Sequence, residues 1–329
     1  MARVGLFLLL VGIGLLAAMF WAISSGAKEL TIETVWTAIF TYNPALTAHQ
    51  IIHELRLPRV IGAAIVGAAF AVAGALMQGV TRNPLADAGI LGINAGAMLV
   101  VAMCFAFIPD VSYSALMILS FVGAVASTLF IFLLGSSAPG GLTPIRLTLA
   151  GSVVAALLHS LSTGIAIYYG LSQDIAFWYA GGVAGVKWSH LQLLVPVILL
   201  AIVWAILLGR SVTLVSLGEE VATSLGVKTK RVRFFGMAAA VVLAGVSVSA
   251  VGGIGFVGLV IPSIARKLVG VDYRAIIPMS AVLGAILLVL SDLAARTVNP
   301  PEELAIGVMV AMAGVPFFLY LARKEGRNL

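Results

Sequence analysis

The residues that could do chemistry are concentrated in one polar stretch, residues 210–233, within a chain that is otherwise mostly apolar. The stretch reads RSVTLVSLGEEVATSLGVKTKRVR and combines five basic residues with Glu219 and Glu220. Ser216 followed by Glu219 has the spacing of a capping box, and Gly226 can take the left-handed conformation that ends a helix. The pattern predicts a short helix in water, which serves either as a solvated loop or as a platform for a soluble partner.

Motifs for catalysis, nucleotide binding and metal binding are absent from the sequence. It contains no G-x-x-x-x-G-K-[ST] phosphate loop, no H-E-x-x-H zinc motif and no G-x-S-x-G nucleophile motif. The single cysteine, Cys104, excludes disulfide frameworks and cysteine clusters. The sequence therefore predicts no catalytic residue, no metal and no cofactor, and indicates that the chain is not an enzyme.

The composition is that of a polytopic membrane protein. The 329 residues are 61% hydrophobic and only 10% charged, whereas a soluble domain of this size needs far more polar surface. Apolar segments predict an all-α bundle of about ten transmembrane helices in one domain, residues 1–329. The predicted spans are residues 4–23, 60–80, 90–108, 113–134, 147–169, 191–209, 234–251, 254–265, 275–295 and 304–322.

Lys and Arg residues lie mostly on one side of this ten-span arrangement. With the N-terminus inside, fourteen of the nineteen fall on the inner side. This asymmetry predicts a cell-membrane protein with both termini in the cytoplasm, and it places residues 210–233 there as well. Because the basic residues are scattered at the ends of spans, a nucleic-acid partner is not expected.

A weak internal repeat relates spans 2–5 to spans 7–10. RVIG at residues 59–62 and RFFG at 233–236 open spans two and seven, while LTLAG at 147–151 and LAIG at 304–307 open spans five and ten. An offset of five spans makes the two halves run in opposite directions, which is the inverted repeat typical of transporters.

Ionisable residues within the spans are few. His159 lies in the middle of span five, where a pore-lining role and a helix-to-helix hydrogen bond are both open. Asp292 is four residues from Arg296, which predicts a local pair on one helix face. Spans two to seven hold no central Asp or Glu, so coupling to an ion gradient is poorly supported, and a bundle driven by a separate soluble motor fits better.

Four long motifs resemble the permeases of ATP-binding-cassette (ABC) importers for iron siderophores, haem and vitamin B12. They are RLPRVIGAAIVGAAFAVAGALMQGVTRNPLADAGILGINAGA at residues 56–97, SLGEEVATSLGV at 216–227, GGIGFVGLVIPSIARKLVG at 252–270 and PPEELAIGVMVAMAGVPFFLYL at 300–321. The resemblance implies a ten-span permease that works with a second permease subunit, two ATPase subunits and an external substrate-binding protein. It implies an iron chelate as substrate, with a ferric siderophore ahead of haem or cobalamin. An ion-coupled secondary transporter is the alternative from another class.

The resemblance also implies roles for individual residues. The helix over residues 217–225 is similar to the coupling helix that enters a cleft of the ATPase, which assigns Leu217, Gly218, Glu219, Glu220, Ala222, Leu225 and Gly226 to that contact. Three residues match outer-surface arginines that meet acidic residues of the binding protein: Arg56, Arg59 and Arg296. The fifth span would line the pathway and the loop 135–146 would form part of the gate, so the candidate pathway or gate residues are Thr143, Pro144, Arg146 and His159.

Overall fold

The computed structural model describes residues 2–26, 30–137, 144–299 and 302–325, and these ranges contain no β-strand. Their regular structure is helical. The helices of the first half are α1 (Ala2–Ser24), α2 (Ile32–Phe40), α3 (Thr47–Ile51), α4 (Leu57–Thr81), α5 (Ile93–Phe107), α6 (Tyr113–Ser137) and α7 (Pro144–Tyr168). Those of the second half are α8 (Ser172–Ala180), α9 (Trp188–Ser216), α10 (Glu219–Ser224), α11 (Thr229–Val251), α12 (Val257–Val269), α13 (Tyr273–Thr297) and α14 (Ile306–Glu325).

Ten of these helices correspond to the ten predicted spans, which confirms the all-α membrane bundle. Seven are long and apolar enough to cross a membrane: α1, α4, α6, α7, α9, α11 and α13. The other three, α5, α12 and α14, are shorter. The predicted start of span two is wrong, because a π-helical turn over Ile52–Arg56 joins α3 to α4 in one helical segment, Thr47–Thr81. The predicted start of span eight is also early, since Gly252 leaves the helical region at φ +78° and α12 begins only at Val257.

Helix α4 is the centre of the bundle, and the apolar window of its helical segment is 89% buried. Its small residues allow neighbouring backbones to approach closely. A Cβ atom added to Gly67 would lie 2.3 Å from the carbonyl oxygen of Gly284 in α13, and one added to Gly74 would lie 2.1 Å from that of Gly258 in α12. Because both distances are far below van der Waals contact, only glycine permits this packing.

The packing partners of α4 and α11 support the predicted repeat. Helix α4 packs against α12 and α13, while α11 packs against α5 and α6, and the two helices also pack against each other. If spans 2–5 and 7–10 are equivalent, α4 corresponds to α11 and the pair α5–α6 corresponds to α12–α13. Helix α4 therefore packs on the two spans that follow α11, and α11 packs on the two spans that follow α4.

Polar residues gather at two opposite ends of the bundle. At one end, Arg59 at the start of α4 contacts Asp292 near the end of α13, and the start of α9 reaches His53. At the other, Arg82 after α4 contacts Glu219 of α10, and Thr213 of α9 bonds to residue 272 before α13. We call these the Arg59 end and the α10 end.

Candidate functional sites

Helix α10 is the short helix that the polar stretch predicts, but it begins differently. Its N-cap is Gly218, at φ +133°, and no side chain caps it. The predicted capping box is wrong, because Ser216 still belongs to the last turn of α9 and its hydroxyl donates to the carbonyl oxygen of Thr213 at 2.7 Å. Glycine at residue 218 turns the chain from α9 into α10 in a conformation that other residues rarely adopt.

The end of α10 is formed as the sequence predicts. Gly226 adopts φ +79°, and its N–H donates to the carbonyl oxygen of Thr223 at 2.9 Å. The N–H of Val227 donates to the carbonyl oxygen of Ala222 at 2.9 Å. These two bonds are the Schellman pattern, which satisfies carbonyl groups that the helix leaves free at its C-terminus.

The surface around α10 combines a buried contact with exposed apolar side chains. Ala222 is fully buried against the bundle, whereas Leu217, Val221 and Leu225 are exposed. Large apolar side chains exposed beside charged ones at the polar end of a bundle are typical of a protein contact surface. The geometry therefore favours a platform for a soluble partner over a merely solvated loop.

Glu219 connects α10 to two other helices. Its Oε2 atom accepts from Arg233 of α11 at 2.9 Å and lies 3.8 Å from Arg82, which ends α4 in the left-handed conformation. Thr229 also donates to the carboxylate, at 3.3 Å. Arg233 is the main reason that the pKa of Glu219 is lowered. The carboxylate is therefore ionised at neutral pH, and the link is lost only as the pH falls through that lowered value.

From the sequence, Arg82 and Asp87 are expected to be either partners or charges of the inner face, and the described residues show no ion pair between them. Arg82 instead reaches Glu219. Asp87 is the N-cap of the 3₁₀ turn Ala88–Leu91, and its Oδ1 atom accepts from the backbone N–H of Ala88 at 2.7 Å. Asx side chains that cap the following turn in this way are common, so Asp87 bonds to the adjacent backbone rather than to Arg82.

Arg59 holds two carboxylates at its end of the bundle. Its Nε atom donates to Oδ1 of Asp292 at 2.9 Å, and Nη2 lies 2.8 Å from the same oxygen. Nη1 and Nη2 donate to the two carboxylate oxygens of Glu303, at 2.9 and 3.0 Å. Hydrogen bonds from Arg59 are the main reason that the pKa of Glu303 is lowered, so the pair is charged at neutral pH.

Arg56 and Arg296 close the end of α1 rather than projecting outward. Arg56 donates to the carbonyl oxygens of Ile23 and Ser24 at 2.6 and 3.1 Å. Arg296 donates to those of Ala22 and Ser25 at 2.6 and 3.2 Å. The two residues are only 8% and 9% exposed. Both side chains are therefore mostly buried, because the last carbonyl groups of a helix have no internal donor and attract cations, and their role in docking the binding protein stays a prediction.

Replacing Arg296 by leucine is expected to destabilise the isolated chain by about 3 kcal/mol, since buried carbonyl groups of α1 lose their donor and Asp292 loses a second arginine. Thermal unfolding in detergent, without any partner, measures this. Unchanged stability together with weakened partner binding would instead support an exposed docking role for Arg296.

Helix α7 carries His159, one of the predicted pathway or gate residues, on an exposed face. His159 is exposed, and its ring lies 6.1 Å from that of Tyr179 in α8. Only 22% of the apolar window of α7 is buried, and its exposed face also carries Ser152, Ser160 and Thr163. Polar groups on the open face of a span favour a pathway or an interface over a buried helix-to-helix bond for His159.

The remaining gate residues lie near the start of α7. Pro144 is the first residue of the helix, and Arg146, in its first turn, is partly buried. Thr143 lies outside the described residues. Their part in a gate stays a prediction.

A cavity of about 690 Å³ opens beside Arg59 and Glu303. Its other walls are α8 with the residues 181–185 that follow it, Phe105 of α5, the start of α6, the end of α11 and the segment that leads into α14. The sequence interpretation missed this cavity and the role of Glu303 in it. The signal that was available is the PPEEL motif directly before span ten, which places two carboxylates beside an arginine-rich end.

The fold and these two polar ends define a multi-pass membrane transport permease. Residues 14–324 match the FecCD transport family, and the chain belongs to this family. It is 51% identical over 322 residues to the iron(3+)-hydroxamate import system permease protein FhuB of Bacillus subtilis (strain 168), covering 98% of this chain and 84% of that one. It is 42% identical to the iron-uptake system permease protein FeuB of the same organism, with 94% and 92% covered.

A solved structure shares the fold over nearly the whole chain. It is an inward-facing conformation of a metal-chelate type ABC transporter, with a TM-score of 0.86 and 26% identity. The match covers 97% of this chain and 99% of the other.

Proposed function

We propose that the chain is the transmembrane permease subunit of an ABC importer for a ferric siderophore, with a ferric hydroxamate as the first substrate to test. The observation that carries this proposal is the 51% identity, over almost the full chain, to a permease named for iron(3+)-hydroxamate import. Relatives named for ferric citrate and ferric enterobactin are less similar, at 39% and 36% identity.

The α10 end supplies the contact with the ATPase subunits in this proposal. The exposed apolar residues Leu217, Val221 and Leu225 would enter the ATPase, while Glu219 keeps α10 in register with α4 and α11. This end then faces the cytoplasm, with both termini on the same side, in agreement with the distribution of Lys and Arg.

The Arg59 end faces the substrate-binding protein in this proposal. Arg59 is the docking residue among the three arginines, because Glu303, one of its two carboxylate partners, is exposed. Arg56 and Arg296 support the docking surface from below by closing α1. The open, partly polar face of α7 would meet a second permease subunit and line the pathway between the two.

Transport by reconstituted protein tests the proposal. The permease, its ATPase and its binding protein are placed in proteoliposomes with ATP on the ATPase side, and uptake of ⁵⁵Fe-labelled ferrioxamine B, a ferric trihydroxamate, is measured. We expect uptake that needs both ATP and the binding protein and that exceeds uptake of ferric citrate. Uptake driven by an ion gradient without nucleotide would identify a secondary transporter, and uptake of haem or cobalamin in place of the hydroxamate would contradict the substrate.

A further inference from the structure

Arg59 has almost no hydrogen-bonding capacity left for a partner. A guanidinium group carries five N–H donors. The Nε donor goes to Asp292, whose Oδ1 atom also lies 2.8 Å from Nη2, while one donor of Nη2 and one of Nη1 go to Glu303. A carboxylate from another protein therefore finds no free pair of parallel donors on Arg59 unless one of the two present partners leaves.

The two carboxylates on Arg59 differ in how easily they can leave. The Asp292 side chain is 1% exposed and also lies 3.5 Å from Arg296, so its departure would leave a buried charge unpaired. The Glu303 side chain is 46% exposed and can be hydrated as soon as it swings away. Exchange at Glu303 therefore costs little, whereas exchange at Asp292 costs a great deal.

We propose that Glu303 is an internal stand-in for the carboxylate of the docking partner, and that a protein surface presenting Asp or Glu displaces it from Arg59. The proposal rests on the proposed function, in which the substrate-binding protein docks at the Arg59 end. A carboxylate on the partner fits this position, because it can take over the two parallel N–H donors that Glu303 occupies.

Displacement of Glu303 also affects the cavity beside it. Glu303 is three residues before Ile306, the first residue of α14, and the N–H of Leu304 donates to the carbonyl oxygen of Ala295 at 2.9 Å. Glu303, Leu304 and Ala305 form part of the wall of the 690 Å³ cavity. When Glu303 leaves Arg59, the segment that precedes α14 loses its ion pair, so docking loosens the cavity wall and the start of α14 together.

A merely structural role for Glu303 makes the opposite prediction. If the ion pair only shapes the docking surface, its removal will weaken docking. If Glu303 competes with the partner, removal of Glu303 will strengthen docking, because the donors of Arg59 are then free to bind the new carboxylate. The sign of the change separates the two roles.

Docking affinities of matched variants test the proposal. The permease–ATPase complex in nanodiscs is titrated with the binding protein used in the uptake assay, at low and at physiological salt. Glu303→Gln is expected to bind it about two- to fivefold more tightly at low salt, the range of an exposed ion pair. Glu302→Gln removes the neighbouring exposed carboxylate and is expected to leave the affinity unchanged. In the double variant that combines Arg59→Gln with Glu303→Gln, the gain in affinity is expected to disappear.

Hydrogen exchange in the unaltered protein is the second measurement and does not depend on any variant folding. Faster exchange of the amides of residues 302–305 on docking is expected. Unchanged or weaker docking by Glu303→Gln, or slower exchange of this segment, would overturn the stand-in role while leaving the importer intact. Failure of the unaltered complex to bind any binding protein would instead overturn the proposed function, and the stand-in role with it.

Discussion

Replacing Gly67 or Gly74 by alanine is expected to prevent stable folding of the bundle. The new methyl carbon would lie 2.3 Å from the carbonyl oxygen of Gly284 or 2.1 Å from that of Gly258, and both obstacles are backbone atoms that cannot rotate away. Helix α4 would have to separate from α13 or α12, which costs about 3 kcal/mol or more because the contact lies in the most buried part of the fold. Thermal unfolding and the monodisperse fraction in detergent measure the loss.

Gly164→Ala is the matched control for this packing. Gly164 lies within α7, another long span, and an added Cβ would meet nothing within 4 Å. Alanine is the better helix former, so this variant is expected to be as stable as the parent or slightly more so. If Gly67→Ala and Gly164→Ala behave alike, the close backbone contact of α4 with α13 does not hold the bundle together.

Replacing Glu219 by lysine is expected to lower the iron imported per ATP hydrolysed by about tenfold. The change puts a positive charge beside Arg82 and Arg233, so the link that holds α10 against α4 and α11 becomes repulsive. The exposed apolar side chains around α10 would remain, so the ATPase is expected to assemble and to hydrolyse ATP. Uptake and phosphate release measured in the same proteoliposomes give the ratio.

Two variants separate this link from direct contact with the ATPase. Glu220→Lys changes the neighbouring exposed carboxylate and is expected to leave the ratio nearly unchanged, because within the described residues no ion pair involves Glu220. The double variant Glu219→Lys with Arg233→Glu exchanges the two charges, and it is expected to restore much of the coupling. If Glu220→Lys is the more damaging change, the two glutamates act through the ATPase surface instead.

The ten-span bundle could be predicted from the sequence because its signal is local. Apolar length alone locates spans such as α6 and α13, and Gly226 marks the end of α10 by its own conformational freedom. Local patterns misled where a polar residue had two possible partners. The hydroxyl of Ser216 was expected to cap the next helix, yet it bonds back into α9, since the turn into α10 is made by Gly218.

The contacts at the Arg59 end could not be read from the sequence. Arg59 and Glu303 are 244 positions apart. Arg296 donates to the carbonyl oxygen of Ala22, in the last turn of α1, which lies 274 positions earlier in the sequence. The sequence indicates that such residues lie on the same side of a membrane, but it does not say whether a charged group meets water, a carboxylate or a backbone carbonyl. That choice depends on burial, which only the packed bundle determines.

The closure of α1 by two arginines has a consequence for how the protein is made. Arg56 follows Ile23 by 33 positions, whereas Arg296 follows Ala22 by 274. A ribosome adds about 5–20 residues per second, so the second arginine is synthesised on the order of 15–50 s after the helix that needs it. During that interval the carbonyl oxygens of Ala22 and Ser25 lack their arginine donor. The N-terminal helix is therefore expected to settle into place only after α13 has been made.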